Sequence, residues 1–261
     1  MRFLPLVLLL LFAWSPARAQ LDKVPADPPQ PCETPAEFTT PSSPLPAVTK
    51  ALNDKRPVEI LALGSGSTVG ETGPNAGPGF AVKTPGKSFP YRMIDALRAL
   101  RPDAQFNLTL AGGRNMTADA MVPLLQEKLE THRFDLLLWQ TGTVEAVRGL
   151  RPDTLREMLE LGIANAADKH VDVVLVDSQF SRFLRANIDL DPYEWVMSKT
   201  ADNASVDLFR RLDLTQSWVD SGEVDLERVS RDERDKTIAL LNTCLGHALA
   251  EYVINGTKTT N

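Results

Sequence analysis

Apolar residues gather into five short runs, at 58–63, 106–110, 134–139, 171–177 and 206–209. Four of these are nearly continuous, as expected for parallel strands covered on both faces. Between them the apolar positions recur every three or four residues. One helix is predicted to open at Pro90 and carry Ile94, Leu97 and Leu100 on a face. A second spans 117–129, with Met121, Leu124, Leu125 and Leu129. A third is capped by Asp153 and has the stripe Leu155, Met158, Leu159, Ile163 and Ala166. Ser230 and Glu233 have capping-box spacing ahead of a last helix, whose stripe is Ile238, Leu241, Leu245, Ala248 and Tyr252 and whose stop is Gly256. This alternation predicts the α/β class: a single doubly wound, three-layer, flavodoxin-like domain over 58–256, with a parallel sheet of about five strands. In such sheets ligands bind at the carboxyl ends of the strands. The loops of interest therefore follow Leu63, Leu110, Trp139 and Asp177. The segment 64–87 is long and rich in Gly and Pro, the profile of a lid or binding loop.

The chain ends change the picture. Residues 1–19 read as a signal peptide: Arg2, an apolar core from Phe3 to Trp14, and Ala17-Arg18-Ala19 before Gln20. That core is too short for a bilayer-spanning helix, and the mature chain is expected to carry no integral membrane segment. Residues 20–57 are Pro-rich and expected to run extended over the surface, and 257–261 form a tail. The 28 Lys and Arg stand against 34 Asp and Glu, and removing the leader's Arg2 and Arg18 takes the formal charge from −6 to −8. That balance, with no basic cluster, argues against nucleic acid or an anionic membrane as partner. Cys32 and Cys244 are the only cysteines. For an exported chain, periplasmic or extracellular, they predict a disulfide. Two distant cysteines and three scattered histidines make no metal site, and nothing calls for a cofactor.

Candidate chemistry sits in three small-residue loops. Gly64-Ser65-Gly66-Ser67-Thr68 ends the first strand, where hydroxyls lie beside the N–H groups of a helix start. Ala111-Gly112-Gly113 follows the second strand, and Gln140-Thr141-Gly142-Thr143 the third. Together with the last helix, these blocks resemble the SGNH (GDSL-like) hydrolases over nearly the whole mature chain. The resemblance implies an ester-hydrolase fold, with an oxyanion hole to which Gly66, Gly112 and Thr143 would contribute. It also exposes departures. The family's Gly-Asp-Ser-x-Thr block puts its nucleophile at Gly66, flanked by Ser65 and Ser67. The asparagine of its Gly-Thr-Asn block falls at Val144, which offers no donor. The Asp and His of its last block fall near Glu233 and Lys236.

The expected function is binding of a glycan, an ester or a protein partner by a catalytically impaired relative, a pseudoenzyme. The alternative is an active hydrolase of acyl or acetyl esters of a carbohydrate, lipid or small molecule. It would use Ser65 or Ser67, with Asp177, Glu145 or Lys236 as a non-standard base. Glu145 reads either as a site carboxylate or as a solvated loop charge. Arg210 and Arg211 read either as a solvated pair or as an anion clamp.

Overall fold

The computed structural model describes residues 32–70 and 88–258. The segment read as a signal peptide, the first part of the Pro-rich segment, most of the 64–87 loop and the last residues of the tail lie outside the described residues.

The strands are β1 (Val58–Gly64), β2 (Phe106–Gly112), β3 (Leu136–Gln140), β4 (Asp172–Val176) and β5 (Asp207–Phe209). All neighbouring pairs are parallel and the order is β2-β1-β3-β4-β5. The chain steps outward from β1 to β2 and then crosses back to β3, so the carboxyl ends of β1 and β3 form the switch-point crevice of a doubly wound sheet.

Strand periodicity divides the core into two layers. On one face Ile60, Ala62, Leu136, Leu138, Val174 and Val176 pack under four helices: α1 (Pro46–Asn53), α3 (Phe89–Leu100), α9 (Arg211–Ser221) and α10 (Arg234–Gly256). On the other, Leu61, Leu63, Leu137, Trp139, Val173 and Leu175 pack under α4 (Ala118–Thr131), α6 (Pro152–Asp168) and α8 (Asp191–Ala204). Each fully buried aliphatic or aromatic side chain contributes about 1.5–3 kcal/mol to this sandwich. Short helices α2 (Gly66–Val69), α5 (Thr143–Arg148) and α7 (Arg182–Asn187) follow β1, β3 and β4 at the carboxyl rim. By length and composition α10 could cross a membrane. Here its apolar stripe is buried against α3 and the sheet.

Three local expectations need correction. The Pro-rich segment is not simply extended: Pro46 opens α1, whose Val48 and Ala51 are fully buried. Proline is favoured at a helix's first position because its fixed φ suits the helix and its missing N–H is not needed there. The same preference moves the start of α6 to Pro152, with Arg151 as its N-cap and Asp153 inside the first turn. The Ser230–Glu233 capping box does not form. Those residues make a turn, Ser230 Oγ lies 3.2 Å from Glu233 Oε2, and α10 begins at Arg234.

The cysteine expectation holds. Cys32 and Cys244 are bonded, with Cα atoms 5.2 Å apart across 212 residues of sequence. The bridge is one of several ties on the N-terminal segment. Trp218 Nε1 donates to the Glu33 carbonyl at 2.8 Å, Asp207 accepts from Ser42 N–H at 2.9 Å, and Asp172 accepts from Val48 N–H at 3.0 Å.

Candidate functional site

The three small-residue loops meet on one rim, and Gln140, the last residue of β3, organises their junction. Its side chain is buried. Its Oε1 accepts the backbone N–H of Ser65 at 3.2 Å, the Ser65 hydroxyl at 2.9 Å, the Thr68 hydroxyl at 3.1 Å and, at 3.4 Å, the Ser67 hydroxyl. A backbone N–H can only donate, so the atom facing it must be the carboxamide oxygen. Ser65 is therefore buried with both its backbone and its hydroxyl donor on Gln140. Gly64 serves the same junction, since a Cβ there would come within 2.3 Å of Thr68 Oγ1 and 3.1 Å of Gln140 Cβ.

Gly66 opens α2 half-buried, and Ser67 is also half-buried. Gly112 pairs with Gly64 at the strand ends. Its φ is +118°, and a Cβ would lie 1.9 Å from the Gly64 carbonyl oxygen. Close backbone approach alone thus demands glycine there, whatever its N–H does for a ligand.

Thr143 and Val144 are the first two residues of α5, both half-buried. Glu145 is neither a solvated charge nor a free base. It is 3% exposed, and it accepts from Ala118 N–H at 2.6 Å, Thr141 Oγ1 at 2.8 Å and Gly142 N–H at 2.9 Å. It satisfies orphan donors at the starts of α4 and α5, which is where a carboxylate complements the helix dipole.

The candidates for a base are no better placed. Lys236 lies exposed in the first turn of α10. Asp177 follows β4, which is separated from β1 by β3, roughly 10 Å at two strand spacings. It accepts the Leu212 N–H at 2.8 Å. Burial first, and then the Glu194 carboxylate, push Asp177 well above the usual carboxylate range, and burial raises Glu194 too. All three of the chain's histidines are described. His132 caps the end of α4 and His170 follows α6, so both precede strands and sit at the amino rim, opposite Ser65. His247 is five residues beyond Asn242, which lines a cavity with Ser67, and so lies about 7.5 Å further along the axis of α10.

The arginine pair divides. Arg210 is exposed, stacked 5.0 Å over Phe38 and 3.3 Å from Asp213. Arg211, the first residue of α9, is only 3% exposed, so the reading of two solvated arginines is wrong for it. Its Nη2 donates to Gln179 Oε1 at 2.5 Å, and its guanidinium lies 5.3 Å from the Phe89 ring centre. Burial pushes it down to about 10, which leaves it a cation at neutral pH. Sequence reasoning passed over Gln140 and Glu194. For Gln140 the signal was available: a lone amide ending an otherwise apolar, fully buried strand.

This sheet order, with a serine- and glycine-bearing rim at β1, β2 and β3, defines an α/β fold of the SGNH/GDSL-hydrolase type. The chain belongs to the non-GDSL lipase-like family, whose model matches residues 31–259. Among solved structures it is similar to the psychrotrophic esterase EstA from Pseudoalteromonas sp., with 13% identity, 76% of this chain and 99% of that one covered, and a TM-score of 0.56. It is likewise similar to a catalytic mutant of Axe2, an acetylxylan esterase from Geobacillus stearothermophilus, with 13% identity, coverage of 77% and 94%, and a TM-score of 0.56. AlinE4, an SGNH-hydrolase family esterase, shares 18% identity over 67% of this chain and 86% of its own, with a TM-score of 0.51. At such identities the likeness is one of fold. No curated protein matches the chain.

Proposed function

We propose that this is an exported protein that uses the SGNH-type rim to bind a ligand, a glycan, an ester or a protein surface, and not to hydrolyse one. The observation that carries this reading is the bonding of Ser65. Its hydroxyl and its N–H both end on Gln140, so one of the two serines flanking the family's nucleophile position is committed to holding the loop. A nucleophilic serine needs a base within hydrogen-bond reach and a third group to orient that base. Here Gly66 carries no hydroxyl, Val144 carries no donor, and the three histidines lie off the rim. Loss of one oxyanion donor alone costs about a hundred- to a thousand-fold in rate. Binding is favoured further by exposed Phe183 and Trp195, on the helices that follow β4 on the same side of the sheet.

Labelling of the mature protein with a fluorophosphonate, beside turnover of short-chain activated esters, tests the reading. The expected result is no stoichiometric adduct and turnover near that of buffer. Robust hydrolysis that disappears in Ser65→Ala or Ser67→Ala would establish the active ester hydrolase instead.

A further inference from the structure

A small cavity opens behind Ser67, between the β1 loop and the start of α10. Its walls include Ser67, Phe89, Gln179, Arg211, Leu241 and Asn242. Arg211 is the only formal charge among its lining residues and is 97% buried, the complement of its 3% exposure. One guanidinium nitrogen is used on Gln179. Among the described residues Nε and Nη1 have no hydrogen-bond partner, and no carboxylate forms an ion pair with Arg211. Asp177 and Glu194 are the acids that face it electrostatically and favour its charged form, but Asp177 is engaged with Leu212 N–H and neither makes an ion pair with the guanidinium. A buried cation with two unmet N–H donors is costly unless an anion completes it.

We propose that Arg211 is an anion-binding residue, and that the cavity beside Ser67 takes a single anionic atom, either a halide ion or one terminal oxygen of a carboxylate. Size and charge choose this class. The cavity volume is about 10 Å³, which admits one water-sized atom and not a sulfate or phosphate. The two unmet N–H donors of a cation call for an acceptor, and an anionic atom makes the stronger hydrogen bonds. Nε and Nη1 supply charged donors, and the Ser67 hydroxyl, held only at 3.4 Å by Gln140, supplies a neutral one. A fixed cation beside the serine loop polarises and holds an anion, whereas a base would remove a proton. The inference therefore deepens the binding reading and rests on it, by naming the ligand's charged group.

The test is ³⁵Cl NMR line broadening by the mature protein at constant ionic strength, with acetate as competitor. Saturable excess broadening is expected in the unaltered protein. It should weaken about tenfold or more in Arg211→Met, the loss of charged hydrogen bonds. Gln179→Glu places a carboxylate of the same shape on Arg211 Nη2 and should also abolish the broadening. That variant keeps the test decisive if Arg211→Met does not fold. Displacement by acetate assigns the site to carboxylates, and broadening that survives acetate assigns it to halides; either supports the proposal. No saturable broadening by the unaltered protein, or equal broadening by a folded Arg211→Met or Gln179→Glu, overturns it. A fluorophosphonate adduct would defeat the binding reading of the rim without altering the chloride titration, so the two can fail separately.

Discussion

At the residue scale, one carboxamide decides how the serine loop is held. Gln140 Oε1 gathers a backbone donor and three hydroxyls. Replacing it with leucine leaves the Ser65 N–H buried without a partner. Replacing Ser65 with alanine removes one donor and leaves the backbone bond intact. Gln140→Leu should therefore lower stability by about 1–3 kcal/mol and Ser65→Ala by clearly less. The urea midpoints of the two variants check this, and equal midpoints would show that Gln140 is not what holds the loop. Gln140 was within reach of sequence reasoning as a polar end to a buried strand. Its partners were not, because Ser65 and Thr68 are separated from it by more than seventy residues and meet it only through the pairing of β1 with β3.

At the element scale, α10 lies directly on α3, and Gly246 makes the approach possible. A Cβ there would stand 2.6 Å from the Arg92 carbonyl carbon and from the Met93 nitrogen, both backbone atoms. Helix propensity favours alanine over glycine by about 1 kcal/mol. Overpacking against a backbone that cannot rotate away typically costs about 1–3 kcal/mol. The clash should win, so Gly246→Ala is expected to lower the melting temperature despite being a better helix former. A rise would mean the two helices have slack between them. The apolar stripe of α10 was legible in the sequence, as were those of α4 and α6. Two others, α8 and α9, were not. Their faces mix buried apolar positions with buried polar ones, Thr200 in α8 and Arg211 and Thr215 in α9, which blurs the period.

At the scale of the whole molecule, the N-terminal segment is bound to the domain at its far end and along its length. The Cys32–Cys244 bridge closes a loop spanning 212 positions, for which chain-entropy reasoning gives at most about 5 kcal/mol. Reduction should lower the melting temperature without unfolding the protein at room temperature, and hydrogen exchange should quicken first near Cys32, before α1. Exchange rising evenly through the sheet would contradict this order. A second property is the acid dependence of stability. Burial pushes Asp172 up to about 6 from an ordinary 3.8. The folded protein then holds that proton more tightly than the unfolded chain, so the contribution is full below about pH 4 and is lost as pH rises through about 6. Burial raises Asp177, Glu194 and Asp207 in the same direction. Asp172→Asn should flatten the fall in urea midpoint between about pH 4 and pH 6. An unchanged slope would assign it to the other three carboxyls.

The sequence by itself determined the class of fold, because a parallel strand buried on both faces and a helix buried on one leave different periods in the chain. It also determined the position of the rim, since loops after β strands must carry the small residues that let backbones approach. The disulfide followed from having two cysteines and a leader that reads as a secretion signal. Only the tertiary structure decided what the polar residues do. Glu145 became the cap for two helix starts, Ser65 a donor to Gln140, and Arg211 a buried cation while Arg210 beside it stayed in solvent. The physical reason is that a polar side chain's role is set by its partner and by its distance from water. In this fold the partners come from strands and helices far apart in sequence.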